Sequence, residues 1–93
     1  MFTVETSPRF ERLARKLRKQ HPEFIEFYRE AINVLELDPY NQTHQYVIKK
    51  LTGPQATDGQ WRLSLRRWRI RYDVVGRTVE LKICGLRREN TYR

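Results

Sequence analysis

Between Trp61 and Cys84 the chain switches sides at nearly every residue. Trp61, Leu63 and Leu65 alternate with Arg62, Ser64 and Arg66; Trp68, Ile70, Tyr72 and Val74 alternate with Arg69, Arg71 and Asp73; Val79, Leu81 and Ile83 alternate with Glu80, Lys82 and Cys84. A period of two belongs to strands with one face buried, because successive side chains of a pleated backbone point to opposite sides. Arg66-Arg67 leaves room only for a tight turn between the first two runs, and Val75-Gly76-Arg77 for another between the second two. Strands joined this closely are antiparallel. The pattern thus predicts a three-stranded meander, and the rest of the chain must cover its apolar face.

The first half reads differently. Phe2 and Val4 alternate with Thr3 and Glu5, predicting a short N-terminal strand. Ser7-Pro8 then supplies an N-cap followed by proline at the first helical position. Phe10, Leu13, Ala14 and Leu17 follow at helical spacing, while Arg9, Arg12, Arg15, Lys16, Arg18 and Lys19 occupy the other face. Pro22 opens a second helix with Phe24, Ile25, Tyr28, Ala31, Ile32 and Leu35 inward, and Asp38-Pro39 ends it. Two helices so closely joined form an antiparallel hairpin. Residues 38–60 read as a long polar connection holding a short extended piece at Tyr46-Val47-Ile48. The expected fold is a single α+β domain over residues 1–93: an N-terminal strand, a two-helix hairpin, then the meander completing a sheet with helices on one face.

Parity assigns Trp61, Leu63, Leu65, Trp68, Ile70, Tyr72, Leu81 and Ile83 to the face under the helices. The opposite face then displays Arg62, Ser64, Arg66, Arg69, Arg71 and Lys82 together. Like charges directly opposite one another destabilise a sheet, so such a face implies a compensating use. The charge distribution points the same way. Of the net +8, residues 1–46 contribute nothing, with seven basic and seven acidic side chains; residues 47–93 hold twelve basic against four acidic. Nine of those twelve are arginine, whose planar fork matches phosphate and stacks on bases. A polyanion partner follows. The alternative is a solvated basic surface kept for solubility, which does not require the charge to be confined to one half. Lys49 and Lys50 either rim this arginine-bearing face or are ordinary loop charges. Trp61, Trp68 and Tyr72 fall with the core by parity rather than serving as stacking platforms. Tyr92, beyond the last strand beside Arg87 and Arg88, either stacks on a base or moves a proton, or docks on the core. His21 and His44 read as structural or solvated, and Cys84 as a half-buried small side chain.

One cysteine permits no intrachain disulfide, and no Cys/His set has zinc spacing. No apolar run approaches the roughly 20 residues that span a bilayer, and no signal-peptide pattern opens the chain. A reducing, cytoplasmic setting without membrane, metal or cofactor is the expectation.

Four segments together resemble the RelE/ParE toxin superfamily. They are Lys50-Leu51-Thr52-Gly53, Gly59-Gln60-Trp61-Arg62-Leu63, Trp68-Arg69-Ile70-Arg71-Tyr72-Asp73-Val74, and Gly85-Leu86-Arg87-Arg88 with Tyr92. Their order and spacing, with the strand and basic first helix before them, extend the resemblance over nearly the whole chain. The resemblance implies a RelE-like fold and the toxin of a toxin–antitoxin pair. It implies a metal-independent endoribonuclease that cuts mRNA in the ribosomal A site and so inhibits translation. In such members a 2′-hydroxyl attacks the adjacent phosphate. The positions matching the family's catalytic set are Arg62, Arg69, Arg87 and Tyr92, with Arg69 and Arg87 on the phosphate and Tyr92 as acid or base. Lys49, Lys50, Arg66, Arg67, Arg71 and Arg88 are the expected RNA-binding residues. Arg62 stands where the family usually has lysine, and arginine is a poor general base. Ser64 stands where RelE itself has a basic residue. The partners implied are the ribosome with its mRNA and an acidic antitoxin, in a hetero-oligomer. ParE-like members poison DNA gyrase instead, and a nucleic-acid-binding chain without catalysis is the third reading.

Overall fold

A computed structural model describes residues 1–86, apart from the side chains of Pro54, Gln55 and Thr57. The first strand, β1, spans Thr3–Thr6 and runs directly into α1, Pro8–Gln20. Ser7 caps α1: its backbone is extended, and its Oγ accepts from Phe10 N–H at 3.0 Å, satisfying one of the donors a helix start leaves unpaired. Phe10 is buried and Leu13, Ala14 and Leu17 pack half-buried beside it, so the apolar stripe read from the sequence faces the core.

The second helix, α2, spans Phe24–Leu37. It begins two residues after Pro22 because Pro22 and Glu23 are spent on the turn, which Phe24 N–H closes by donating to the His21 carbonyl at 2.9 Å. Asp38 ends α2 and then organises the loop beyond. Its carboxylate accepts from Gln42 N–H at 2.8 Å, Thr43 N–H at 3.0 Å and the Thr43 hydroxyl at 2.7 Å. Burial pushes this carboxyl up, but the hydrogen bonds from Thr43 and Gln42 outweigh it and hold Asp38 below the usual carboxylate range.

The meander is present as β3 (Trp61–Leu65), β4 (Trp68–Val75) and β5 (Thr78–Leu86). The extended piece in the long connection is a full strand, β2 (Val47–Lys50), which pairs antiparallel with β3; a 3-10 turn over Gly53–Asp58 links the two. β1 pairs parallel with β5. The result is a five-stranded mixed sheet in the order β1-β5-β4-β3-β2. Phe10 of α1 and Phe24, Phe27, Ala31, Val34 and Leu35 of α2 form one core with Leu63, Trp68, Ile70, Tyr72, Val79, Leu81 and Cys84 of the sheet. Trp68 stacks on Phe27 and meets Phe24 edge-on, as parity requires of a core side chain. Tyr72 is fully buried and donates its hydroxyl to the Pro39 carbonyl at 2.6 Å.

Parity breaks at one place. Tyr72 faces Leu81, but Arg71 faces Ile83, so Lys82 has no partner across the ladder. A one-residue bulge of this kind moves every later side chain to the other face. Ile83 is therefore not under the helices as the alternation suggested. It sits 5% exposed on the arginine face and outside the main core. Cys84 takes the core seat opposite Ile70, fully rather than half buried, and burial raises its thiol to about 12. No described helix is long and apolar enough to cross a membrane.

Candidate nucleic-acid interface

The sheet face turned away from the helices is organised in cross-strand rows. Lys49, Arg62, Arg71 and Ile83 stand opposite one another from β2 to β5. Beside them run Val47, Ser64, Arg69 and Gly85. Val47, Lys49, Arg62, Ser64, Arg66 and Arg69 line a cleft of about 390 Å³, and no carboxylate is among them. Arg62 and Arg71 are directly paired across β3 and β4, with Cα atoms about 4.5–5.5 Å apart in such pairs, but Arg71 is not among the residues lining the cleft.

Arg71 is 7% exposed, rare for an arginine. Its Nη2 donates to the Gly59 carbonyl at 2.9 Å, while its buried Nε has no partner among the described residues. The buried Nε of Arg62 is likewise unpaired among them. Unsatisfied buried donors are costly. Two such donors lie on facing strands, so this face carries unmet donor capacity among the described residues. Arg69 donates to Ser64 Oγ at 2.6 Å, so Ser64 orients a cation instead of carrying charge itself.

The same face has a negative end. Glu80 stands opposite Asp73 on β4 and Glu5 on β1, one row beyond the bulge. Asp73 accepts from Gln60 N–H at 2.7 Å, and the bulged Lys82 reaches Glu80 at 3.5 Å. The sheet face thus carries a cationic row and an anionic row, two positions apart along β4.

The expected binding residues do not all share this face. Lys49 lies in the cleft, but Lys50 faces the other way, with Nζ 5.5 Å from the Trp61 ring centroid. Arg66 lines the cleft and also bonds Glu30 of α2 at 3.0 Å, its backbone held at φ +53 by the two-residue turn. Arg67 lies on the helix side: it covers Trp68 at 5.1 Å, meets His21 Nδ1 at 2.8 Å and pairs with Glu23 at 3.1 Å. Lys82 flanks the acidic row instead of the arginines. Arg87, Arg88 and Tyr92 lie outside the described residues.

Some contributors escaped the sequence reading. Gly59 supplies the carbonyl that seats Arg71, and Val47 and Ile83 give the basic face its apolar border. β2's parity relative to β3 carries no sequence signal, since a register across a ten-residue connection cannot be counted. Among the described residues no group of histidine, cysteine and carboxylate side chains could hold a metal ion. No family model, curated protein or solved structure matches the chain.

Proposed function

We propose that this chain is a RelE-like toxin that binds mRNA on the ribosome and cuts it. The observation carrying the reading is the pair Arg62 and Arg71, opposed on β3 and β4, each with a buried Nε that has no partner among the described residues, beside a cleft whose described lining holds no carboxylate. That arrangement suits phosphate, and the arginine content suits RNA. A RelE-like topology is supported by the order strand, helix pair, then four strands, with β1 beside β5.

In the proposed reaction the 2′-oxygen attacks the adjacent phosphorus and the bond to the 5′-oxygen breaks. A 2′,3′-cyclic phosphate forms; one proton leaves the 2′-hydroxyl and another reaches the departing 5′-oxygen. Arg62 and Arg69 would hold the phosphate as charge builds on its oxygens, and Arg71 would reinforce them from below. Arg87 would add a further cation. Tyr92 is the candidate for proton transfer, because no arginine gives up its proton near neutral pH.

An acidic antitoxin is the proposed partner. A groove of about 200 Å³ between α1 and α2, lined by Phe10, Ala14, Phe24, Ile25 and Tyr28 with Arg15, Arg18 and one acid, Glu11, supports that reading through its apolar floor and its excess of cations.

The test is in vitro translation with purified protein and primer extension on the message, run beside naked RNA. Cuts confined to ribosome-bound message, and lost in Arg69→Ala and Tyr92→Ala, are expected. RNA bound but uncut would leave a binding protein without catalysis. Translation spared, with gyrase captured, would move the reading to the gyrase-directed members.

A further inference from the structure

Helix α1 carries six cations, Arg9, Arg12, Arg15, Lys16, Arg18 and Lys19, against one acid, Glu11. Among the described residues only Arg9 is in an ion pair, with Asp58 at 2.9 Å. Acids are close by on α2 and in the turn before it, yet Glu30 and Glu23 are turned to Arg66 and Arg67 of the β3–β4 turn. The charge of α1 is left unneutralised by its own neighbour.

These cations fall into two sets. Arg15 and Arg18 rim the groove toward α2. Arg12, Lys16 and Lys19 follow at steps of four and three residues, with Arg9 three residues before them, so all four lie along one stripe of the helix. Arg12, Lys16 and Lys19 are exposed. The stripe points away from the apolar residues of α1, which all pack on the core, and spans roughly 15 Å at 1.5 Å per residue.

We infer that this stripe is a second nucleic-acid site, one that grips the phosphate backbone of a double helix, so that a single chain joins two nucleic-acid segments. The stripe has no aromatic residue on which an unpaired base could stack. It also lacks the apolar residues that an amphipathic peptide or a membrane surface would need. What remains is a cationic rod whose exposed members Arg12, Lys16 and Lys19 are in no ion pair among the described residues, the form that reads phosphates without reading sequence. The cleft described above is built on the sheet face opposite the helices, and no residue of α1 lines it, so both sites can be filled at once. The inference does not depend on RNA cleavage.

The experiment uses the full chain with three probes: a short blunt RNA duplex, the matching DNA duplex and a short unpaired RNA. The variant Arg12→Gln/Lys16→Gln/Lys19→Gln should lose duplex affinity on the order of tenfold at moderate salt. Its log-affinity slope against log salt should flatten by about 2–3. Its affinity for unpaired RNA and its melting temperature should stay close to wild type. Arg62→Gln/Arg69→Gln should do the reverse. Wild-type protein, but not the helix variant, should retain labelled unpaired RNA on immobilised duplex. Comparable losses on both duplexes place recognition on phosphates; a loss on RNA alone still supports the site and narrows it to A-form geometry. Unchanged duplex affinity in the helix variant overturns the inference. So does tighter binding of a polyglutamate peptide than of either duplex, with the same sensitivity to the three substitutions; that result would assign the stripe to an acidic protein.

Discussion

Arg71 is seated by Gly59: the arginine Nη2 donates to the glycine carbonyl at 2.9 Å, twelve residues back along the chain. Gly59 holds φ +117, a conformation that side chains disfavour, and a Cβ there would lie 2.8 Å from the backbone nitrogen of Tyr72. The central cation of the basic row therefore rests on a position that only glycine fills. Gly59→Ala should lower stability by about 1–3 kcal/mol, measured by urea unfolding. RNA affinity under folding conditions should fall with it. Loss of stability with RNA binding intact would separate Arg71 from the interface.

Lys49 and Lys50 are neighbours in sequence on opposite faces of β2. Lys49→Gln and Arg62→Gln should each weaken RNA binding severalfold and flatten its salt dependence, whereas Lys50→Gln should do neither. Each lost phosphate contact should reduce the salt slope by about 0.7–0.9. Equal effects of Lys49→Gln and Lys50→Gln, read by fluorescence anisotropy at two salt concentrations, would contradict the face assignment.

Much of this architecture was legible from period and punctuation. The alternation from Trp61 onward located three strands, Ser7-Pro8 located the start of α1, and Arg62, Ser64, Arg69 and Arg71 fell together on one face because they are two apart on paired strands. The reading failed where a count of two was interrupted. The bulge at Lys82 has no residue-type signature, so Ile83 and Cys84 were placed on the wrong faces or left ambiguous. Strand β2 was seen only as a short extended piece, because polar residues surround its four positions and its partner lies across a long loop. Arg67 was expected among the RNA-binding residues, but a turn residue has no fixed parity, and Trp68, His21 and Glu23 draw it to the helix side.

The row Glu5, Glu80 and Asp73 should repel a polyanion lying on the basic row. Glu5→Gln/Glu80→Gln is expected to raise affinity for unpaired RNA by about threefold at low salt, with the gain fading as salt is added and the Debye length shortens. An unchanged affinity at low salt would show that the RNA never approaches this end of the sheet.

Asp38 ties α2 to the loop that carries Pro39, the acceptor for Tyr72. Because its folded-state pKa is depressed, its contribution is present above the unfolded value of about 3.9 and disappears as pH falls through the folded value. Asp38→Asn should cost about 1–3 kcal/mol at neutral pH. It should also flatten the loss of stability that wild type shows in acid. Parallel acid curves for the two proteins in chemical denaturation would refute this.

Cys84 should report opening of the core. The residue is 6% exposed, and burial raises its thiol to about 12, so it is both shielded and protonated at pH 8. Labelling by a disulfide reagent should be slow in the native protein and immediate in denaturant. Fast labelling without denaturant would mean that β5 separates readily from α1 and α2.

The pairing of β1 with β5 has a consequence for the newborn chain. The strand made first waits for the strand made after β4, so the sheet cannot close until β5 has left the exit tunnel. At about 5–20 residues per second that wait lasts several seconds. Through most of that wait the apolar stripes of both helices have no sheet to settle on, because β3 and β4 emerge only shortly before β5. Such long-range closure is slow to begin with. A partner that recognises the helices could therefore capture the protein during its own synthesis, before its basic face is complete.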